Sequence, residues 1–401
     1  CIQKKNTKRS FNYEKENDLD GVLSSSFSFV ETPDQKKAFN DVFEDMNSEE
    51  PMDRLISGDV GFGKTEVAIR AMFKAFLSNK VSVLLCPTTI LADQHFITCK
   101  ERLTQFGVSV SLLSRFKTKK EQLKTLSMVK LGQVDILIGT HRLLSKDVQI
   151  SNLGLLVIDE EHRFGVNHKE KIRSFKNNVD VLTLTATPIP RTLQQALVGL
   201  KNLTTIKTPP TSRKPINTFV KYFNWSLVFS HIQKEVNRRG QVYFLYNDIK
   251  GIPFVVKKIK DRFPEKTIVG ASGKMDSKNL EEVVLAFFDG FIDVLVCTTI
   301  IESGLDVTNA NTIIIHNAQN FGLAQLYQIR GRVGRGKRQA SCLLLIPRGK
   351  KLEKDSYDRL KAIEKNTALG SGHSISQKDL EIRGSGSLFG YKQSGHISAV
   401  G

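Results

Sequence analysis

One phosphate-binding loop constrains the fold of this 401-residue chain more than any other feature. The segment Gly58-Asp-Val-Gly-Phe-Gly-Lys-Thr65 matches the pattern G-x-x-x-x-G-K-[ST]. It follows a short apolar run and opens Lys64–Leu77, where apolar residues recur at helical spacing. Glycines let backbone N–H groups close around phosphate oxygens, and a helix N-terminus adds the positive end of its dipole. The pattern therefore predicts a strand, a nucleotide-binding loop and a helix in that order.

Each residue of this loop has an expected role. The Lys64 ammonium can reach the β- and γ-phosphates of a nucleotide, and the Thr65 hydroxyl can ligate Mg²⁺. The residues expected to line the nucleotide are Gly58, Asp59, Val60, Gly61, Phe62, Gly63, Lys64 and Thr65.

Acidic residues end a later apolar run, Leu155–Ile158. Asp159 is placed to hold Mg²⁺ directly or through water, and Glu160 to orient or deprotonate an attacking water. Phosphoryl transfer needs mainly this positioning and charge neutralisation. The next apolar run ends in Thr185-Ala-Thr187-Pro188, a turn with two hydroxyls at the sheet edge where ligands bind in such folds.

Arginines cluster in the segment 325–335, QLYQIRGRVGR. Arg332 and Arg335 are three residues apart, so they share one helical face if the helix continues that far. Facing the loop across a cleft, they could act as arginine fingers on a γ-phosphate. Taken alone, the segment is equally well interpreted as a solvated basic helix.

Apolar runs of strand length alternate with helical stretches, which predicts parallel sheets covered by helices on both faces. Three prolines in Lys207–Pro215 interrupt the alternation and mark a domain boundary. We expect a polar, lysine-rich linker tail over 1–28 that adds little to a core, lobes over 29–207 and 217–348, and a third segment over 350–401. The expected strands are Arg54–Ser57, Val81–Cys86, Val108–Leu113, Asp135–Ile138, Leu155–Ile158, Val181–Leu184, Val242–Tyr246, Thr267–Val269, Val294–Cys297, Thr312–Ile315 and Ser341–Ile346.

Composition adds three constraints. The net charge of +18 favours a polyanionic partner. No apolar run reaches the roughly 18 residues of a membrane span. The five cysteines form no C-x-x-C pair, and most lie in or beside apolar runs, which is typical of buried thiols in a reducing compartment. Because residue 1 is Cys1 rather than Met, we expect the sequence to be a fragment.

The motifs GDVGFGKT, DEEH, TATP and QIRGRVGR, in this order, resemble those of superfamily-2 helicases. Five further segments narrow the resemblance to transcription-repair coupling factors, with RecG-type fork-remodelling helicases as the second match. They are PTTILADQH at 87–95, GTHRLL at 139–144, DEEHRFGV at 159–166, TTIIESGLDV at 298–307 and DLEIRGSGSLFG at 379–390. The resemblance covers about residues 27–401.

This resemblance implies an α/β fold of two tandem RecA-like lobes, followed by a helical hairpin and a coupling loop. It implies that Gln35 reads adenine and that Gly304 and Asp306 complete the nucleotide site. The implied contacts to the DNA backbone are Thr88, Arg115, Thr140, His141 and Thr299. The implied coupling residues are His162, Thr185, Thr187, Arg383 and Gln393.

The implied activity is ATP-dependent translocation on duplex DNA, with ATP and Mg²⁺ as cofactors, in the bacterial cytoplasm and associated with the nucleoid. RNA polymerase and an excision-repair damage-recognition protein would be contacted through regions outside this chain, and no membrane is expected. Two alternatives stay open. One is a RecG-like fork-remodelling helicase, and the other is an inactive remnant that binds nucleic acid without turnover.

Overall fold

A computed structural model describes residues 8–14, 18–115, 117–175, 179–186, 201–211, 213–299, 307–336, 338–349 and 352–383. Among these residues, no helix has both the length and the apolar character needed to cross a lipid bilayer. Cys86, Cys99, Cys297 and Cys342 are buried with free thiols.

Lobe one is built on a seven-stranded parallel sheet with the order β3-β4-β2-β5-β6-β1-β7. Its strands are β1 Asp53–Gly58, β2 Val81–Leu85, β3 Val110–Leu113, β4 Ile136–Gly139, β5 Leu153–Asp159, β6 Asp180–Thr185 and β7 Asn202–Ile206. Helix α1 Asp18–Ser25 precedes the lobe, and the helices of the lobe itself are α2 Pro33–Asn47, α3 Lys64–Leu77, α4 Thr89–Leu103, α5 Lys119–Lys130 and α6 Val166–Phe175.

Lobe two is built on a six-stranded parallel sheet with the order β10-β11-β9-β12-β13-β8. Its strands are β8 Asn217–Tyr222, β9 Gln241–Leu245, β10 Ile268–Ala271, β11 Val294–Cys297, β12 Ala310–Ile315 and β13 Ser341–Ile346. Its helices are α7 Trp225–Asn237, α8 Ile252–Arg262, α9 Ser277–Phe288 and α10 Leu323–Arg330. Each sheet has apolar cores on both of its faces, as the near-continuous apolar strands predict.

Within the described residues, lobe two is followed by α11 Lys354–Lys365 and α12 Gly372–Arg383, and both pack against α10. Arg330 at the end of α10 stabilises this arrangement, since its guanidinium donates to the backbone oxygens of Ile363 (2.9 Å) and Asn366 (2.8 Å). The sequence predicted Arg383 in a glycine-rich loop. Its backbone instead forms the last residue of α12.

A few buried residues attach the segment before lobe one to that lobe. Tyr13 and Leu23 are 4% and 1% exposed and belong to the core of lobe one. Arg9 is buried beside Asp180, with its Nη2 2.9 Å from Asp180 Oδ1. Few of its described residues enter a core, as the polar composition predicted, and Arg9, Tyr13 and Leu23 carry the packing.

Candidate nucleotide site and nucleic-acid path

The carboxyl edge of the lobe-one sheet brings the predicted nucleotide residues together. Strands β5, β6 and β1 are neighbours in the sheet. Asp159 ends β5, Thr185 ends β6, and the phosphate-binding loop follows β1. Since parallel strands place their carboxyl ends at one edge, motifs that are far apart in sequence meet here.

The phosphate-binding loop has the backbone that its glycines permit. Gly61 and Gly63 have φ of +79° and +84°, in the left-handed region that side chains rarely adopt. A Cβ at Gly63 would also collide with Gln35 Nε2. Lys64 Nζ donates to the backbone oxygens of Gly58 (2.7 Å) and Asp59 (2.9 Å), so the ammonium lies within the loop.

Burial lowers the pKa of Lys64, and the carboxylates of Glu160, Asp159 and Asp59 oppose that effect. Arg335 of lobe two lowers the same pKa through its charge. The ammonium and the acidic pair are therefore close enough for their charges to interact across the site.

The two acids at the end of β5 have different partners. His95 Nε2 lies 3.1 Å from Asp159 Oδ2. Glu160 has φ of +54° and accepts hydrogen bonds from the Ala186 amide (2.8 Å) and the Thr185 hydroxyl (3.3 Å). The Glu160 carboxylate is thus held in one orientation by the end of β6.

His162 lies beside Glu160, with 3.2 Å between Nδ1 and Oε2. Burial lowers the pKa of His162, Glu160 opposes the shift, and Arg163 and Lys169 reinforce it. The imidazole is therefore a neutral hydrogen-bonding group around neutral pH, placed between the acidic pair and the start of α6.

Lobe two contributes two arginines to the same cavity. Helix α10 ends at Arg330, so the condition for Arg332 and Arg335 to share a helical face is not met. Both nevertheless line a cavity of about 610 Å³ together with Lys64, Thr65 and Glu160. Arg332 is 6% exposed, and burial, Arg335 and Arg163 lower its pKa to about 10 despite the opposing charge of Glu160.

The residues of this cavity fit Mg²⁺ bound together with a nucleotide. Thr65 and Asp159 line it, and within the described part of the chain no group of three or more His, Cys, Asp or Glu side chains forms a metal cage. Mg²⁺ is usually held by one or two carboxylates together with substrate phosphates and water, so a hydroxyl and one carboxylate suit it.

Beside the phosphate-binding loop lies a second cavity, of about 360 Å³, lined by Phe27, Phe29, Gln35 and Lys64. Gln35 donates from Nε2 to the Phe62 oxygen (2.9 Å) and accepts from the Thr32 amide (2.8 Å). Phe29 is 60% exposed. Sequence reasoning did not assign Phe27 or Phe29 a role, although two aromatic residues shortly before Gln35 were a usable signal.

The predicted DNA contacts in lobe one lie on the other half of the same sheet edge. Thr88 follows β2, Thr140 and His141 follow β4, and Arg115 follows β3, and these three strands are neighbours. Arg115 Nη2 lies 2.7 Å from His141 Nε2, and the His141 ring stacks on His168 at 5.4 Å. Thr140, however, is 1% exposed, so its hydroxyl is not at the surface in this arrangement.

The remaining predicted residues are only partly covered. Thr299 follows β11 at the carboxyl edge of the lobe-two sheet. Gly304, Asp306, Thr187 and Gln393 lie outside the described residues, as does the side chain of Arg383.

Two family models match the lobes. A DEAD/DEAH box helicase model covers residues 32–196, and a helicase conserved C-terminal domain model covers residues 226–337. Between them they account for more than half of the chain.

Curated relatives are transcription-repair-coupling factors. The chain is 50% identical over 393 residues to that of Bacillus subtilis strain 168, which covers 98% of this chain and 33% of the relative. For Staphylococcus aureus strain USA300 the identity is 50% over 375 residues, with 94% and 32% covered. The chain therefore spans about a third of the length of these relatives.

Solved structures agree on the fold. RecG bound to a three-way DNA junction matches with a TM-score of 0.80 and 35% identity, covering 94% of this chain and 50% of that one. Dbp5 of S. cerevisiae bound to RNA and ADP BeF3 matches with a TM-score of 0.63 at 16% identity, covering 86% and 90%, and supports the fold alone. The chain therefore belongs to the superfamily-2 helicases, with two RecA-like lobes, and it resembles transcription-repair-coupling factors over nearly all of its own length.

Proposed function

We propose that this chain is an ATP-driven motor that moves along duplex DNA. The observation that carries the proposal is the single cavity lined by the phosphate-binding loop, the acidic pair of lobe one and the two arginines of lobe two. The geometry of a site shared by two lobes changes when the lobes move. Nucleotide turnover and lobe motion are therefore linked.

The chemistry divides among the residues as follows. Lys64 would bind the phosphates, and Thr65 and Asp159 would hold the metal, with His95 orienting the Asp159 carboxylate. Mg²⁺, when bound, neutralises charge on the phosphate oxygens. Glu160, fixed by Thr185 and Ala186, orients the attacking water and accepts its proton.

Lobe two contributes to hydrolysis through its two arginines. Arg332 and Arg335 stabilise the charge that develops on the transferred phosphoryl group. Because they lie beyond the end of α10, their position depends on how α10 packs on helices α11 and α12. We place the coupling of hydrolysis to movement in this hairpin and in Arg383 and Gln393 that end or follow it.

The polynucleotide path lies along the ends of β3, β4 and β2, and Thr299 of lobe two continues it. Hydroxyls and a guanidinium there suit phosphodiester oxygens, which fix position without reading sequence. Within a longer protein like the matched relatives, such movement would push a stalled RNA polymerase and help to recruit excision repair.

Fork remodelling is the second candidate, favoured by the 35% identity to RecG bound to a three-way DNA junction. The test is steady-state phosphate release without DNA, with linear duplex and with a three-way junction of equal length. Comparable stimulation by both DNAs supports movement on duplex, whereas stimulation by the junction alone supports fork remodelling. Glu160→Gln is the background control, and wild-type turnover no higher than this variant's would support the inactive remnant.

A further inference from the structure

Helix α9 of lobe two touches lobe one at the start of α4. Thr89 Oγ1 donates to Glu281 Oε1 at 2.5 Å. Next to this contact, Ile90 and Val284 are 7% and 5% exposed and form an apolar cluster between the lobes. A carboxylate from one lobe is therefore fixed at a defined place on the other.

That place is the proposed polynucleotide path. Thr89 follows Thr88 at the carboxyl end of β2, two strands away from the end of β3, where Arg115 lies. Burial raises the pKa of Glu281, and the Thr89 hydroxyl and the Arg115 charge oppose that shift. Glu281 thus accepts a hydrogen bond from a hydroxyl and interacts with a guanidinium, as an oxygen of a DNA phosphate would.

We propose that Glu281 mimics a backbone phosphate and must leave the path before duplex DNA binds. This inference rests on the proposed DNA path. The contact joins the two lobes, so DNA that displaces Glu281 also releases lobe two from the start of α4. Binding of DNA and release of the lobes are then thermodynamically linked, each favouring the other.

Glu282 provides a matched control on the same helix. It is exposed, and its Oε1 lies 4.0 Å from Lys278 Nζ, one turn earlier on α9. Substitutions at Glu281 and Glu282 therefore change the net charge equally, but only those at Glu281 change the contact with Thr89.

The experiment is fluorescence anisotropy with a labelled linear duplex at constant salt. Glu281→Gln removes the charge, and Glu281→Ala removes the charge and the acceptor. We expect about fivefold tighter binding for both, in the range of a typical coupling energy, and less than about twofold change for Glu282→Gln and Glu282→Ala. Phosphate release without DNA should rise only in the Glu281 pair.

Equal shifts at the two positions, or weaker binding by the Glu281 variants, would overturn the inference while leaving the DNA path in place. If the wild-type chain binds no duplex in the same titration, the proposed function fails, and this inference fails with it. Thermal unfolding of each variant establishes that all five proteins are folded.

Discussion

Lys64 illustrates how much one side chain decides in this site. Its ammonium lies inside the phosphate-binding loop, near three carboxylates. Replacing Lys64 by Ala leaves the β- and γ-phosphates without their principal side-chain charge. We expect Lys64→Ala to lower the rate of phosphate release by roughly a hundredfold or more.

Duplex binding by Lys64→Ala, measured by anisotropy, should be unchanged because the proposed path lies on other strands. Near-normal turnover in this variant would refute the assignment of the loop.

Arg335 tests the contribution of lobe two to hydrolysis. An arginine that stabilises the transferred phosphoryl group is worth about a thousandfold or more in rate. We expect Arg335→Ala to lose roughly that factor in kcat with a smaller change in KM. Arg338→Ala is the control, because Arg338 is exposed and donates to Asn309 Oδ1 at 3.2 Å. A similar loss of kcat in both variants would mean that Arg335 matters only for the positive charge it adds to the protein, and not for its position in the cavity.

At the scale of residues, contiguous patterns were the predictable part of the site. The phosphate-binding loop, Asp159 and Glu160 each follow an apolar run, so their position at a sheet edge was predicted from spacing. The contact between His95 and Asp159 was not predicted, because it joins α4 to the end of β5 and depends on packing. The contact of Glu281 with Thr89 was not predicted for the same reason, since the two residues lie in different lobes.

Among the strands, too, the apolar ones were predicted and the polar ones were missed. All eleven predicted strands are present, with ends within two residues of those predicted. Strands β7 and β8 were missed because NLTTI and NTFVKY carry many polar residues and flank the proline-rich boundary. Each lies at an edge of its sheet, where only one neighbour and one hydrogen-bonded side are needed.

The segment before lobe one makes an energetic prediction. Arg9 Nη2 contacts Asp180 Oδ1 and the backbone oxygens of Asp45 and Glu50, and both charged side chains are almost fully buried. Removing one partner leaves a buried charge uncompensated, which costs about 3 kcal/mol or more. We therefore expect Arg9→Met to lower the free energy of unfolding of lobe one by about that amount in urea titrations.

Lys8→Met is the matched control for Arg9→Met. Lys8 pairs with Glu49 at 2.7 Å, but the two side chains are 79% and 74% exposed, and such surface pairs add little. If the two variants unfold at the same urea concentration, the buried pair does not anchor the segment.

For the whole molecule, charge predicts the character of DNA binding. The net charge of +18 favours contacts between basic groups and DNA phosphates, which release the counterions condensed on the DNA, so affinity should fall steeply with salt. We expect at least about a tenfold loss between about 50 and 200 mM salt. Two duplexes of unrelated sequence should bind within about twofold of each other. A strong preference for one sequence would contradict a path that contacts only the backbone.

The relation between the lobes was the least predictable feature at this scale. No periodicity in the sequence specifies that Tyr327 of α10 donates to Asp59 of the phosphate-binding loop, or that α9 touches α4. These contacts join side chains from two lobes with separate apolar cores. The arginines of segment 325–335 alone left open whether Arg332 and Arg335 would face the loop, because a solvated basic helix fitted the pattern equally well.

Displacement of the third strand from a DNA triplex tests movement along duplex DNA most directly. The assay compares the wild-type chain and Glu160→Gln, each with ATP and with a non-hydrolysable analogue. We expect the wild-type chain to displace the labelled third strand with ATP only, and Glu160→Gln to displace none. Steady ATP hydrolysis by the wild-type chain without displacement, or equal displacement by Glu160→Gln, would contradict the account of this chain as a motor driven by hydrolysis.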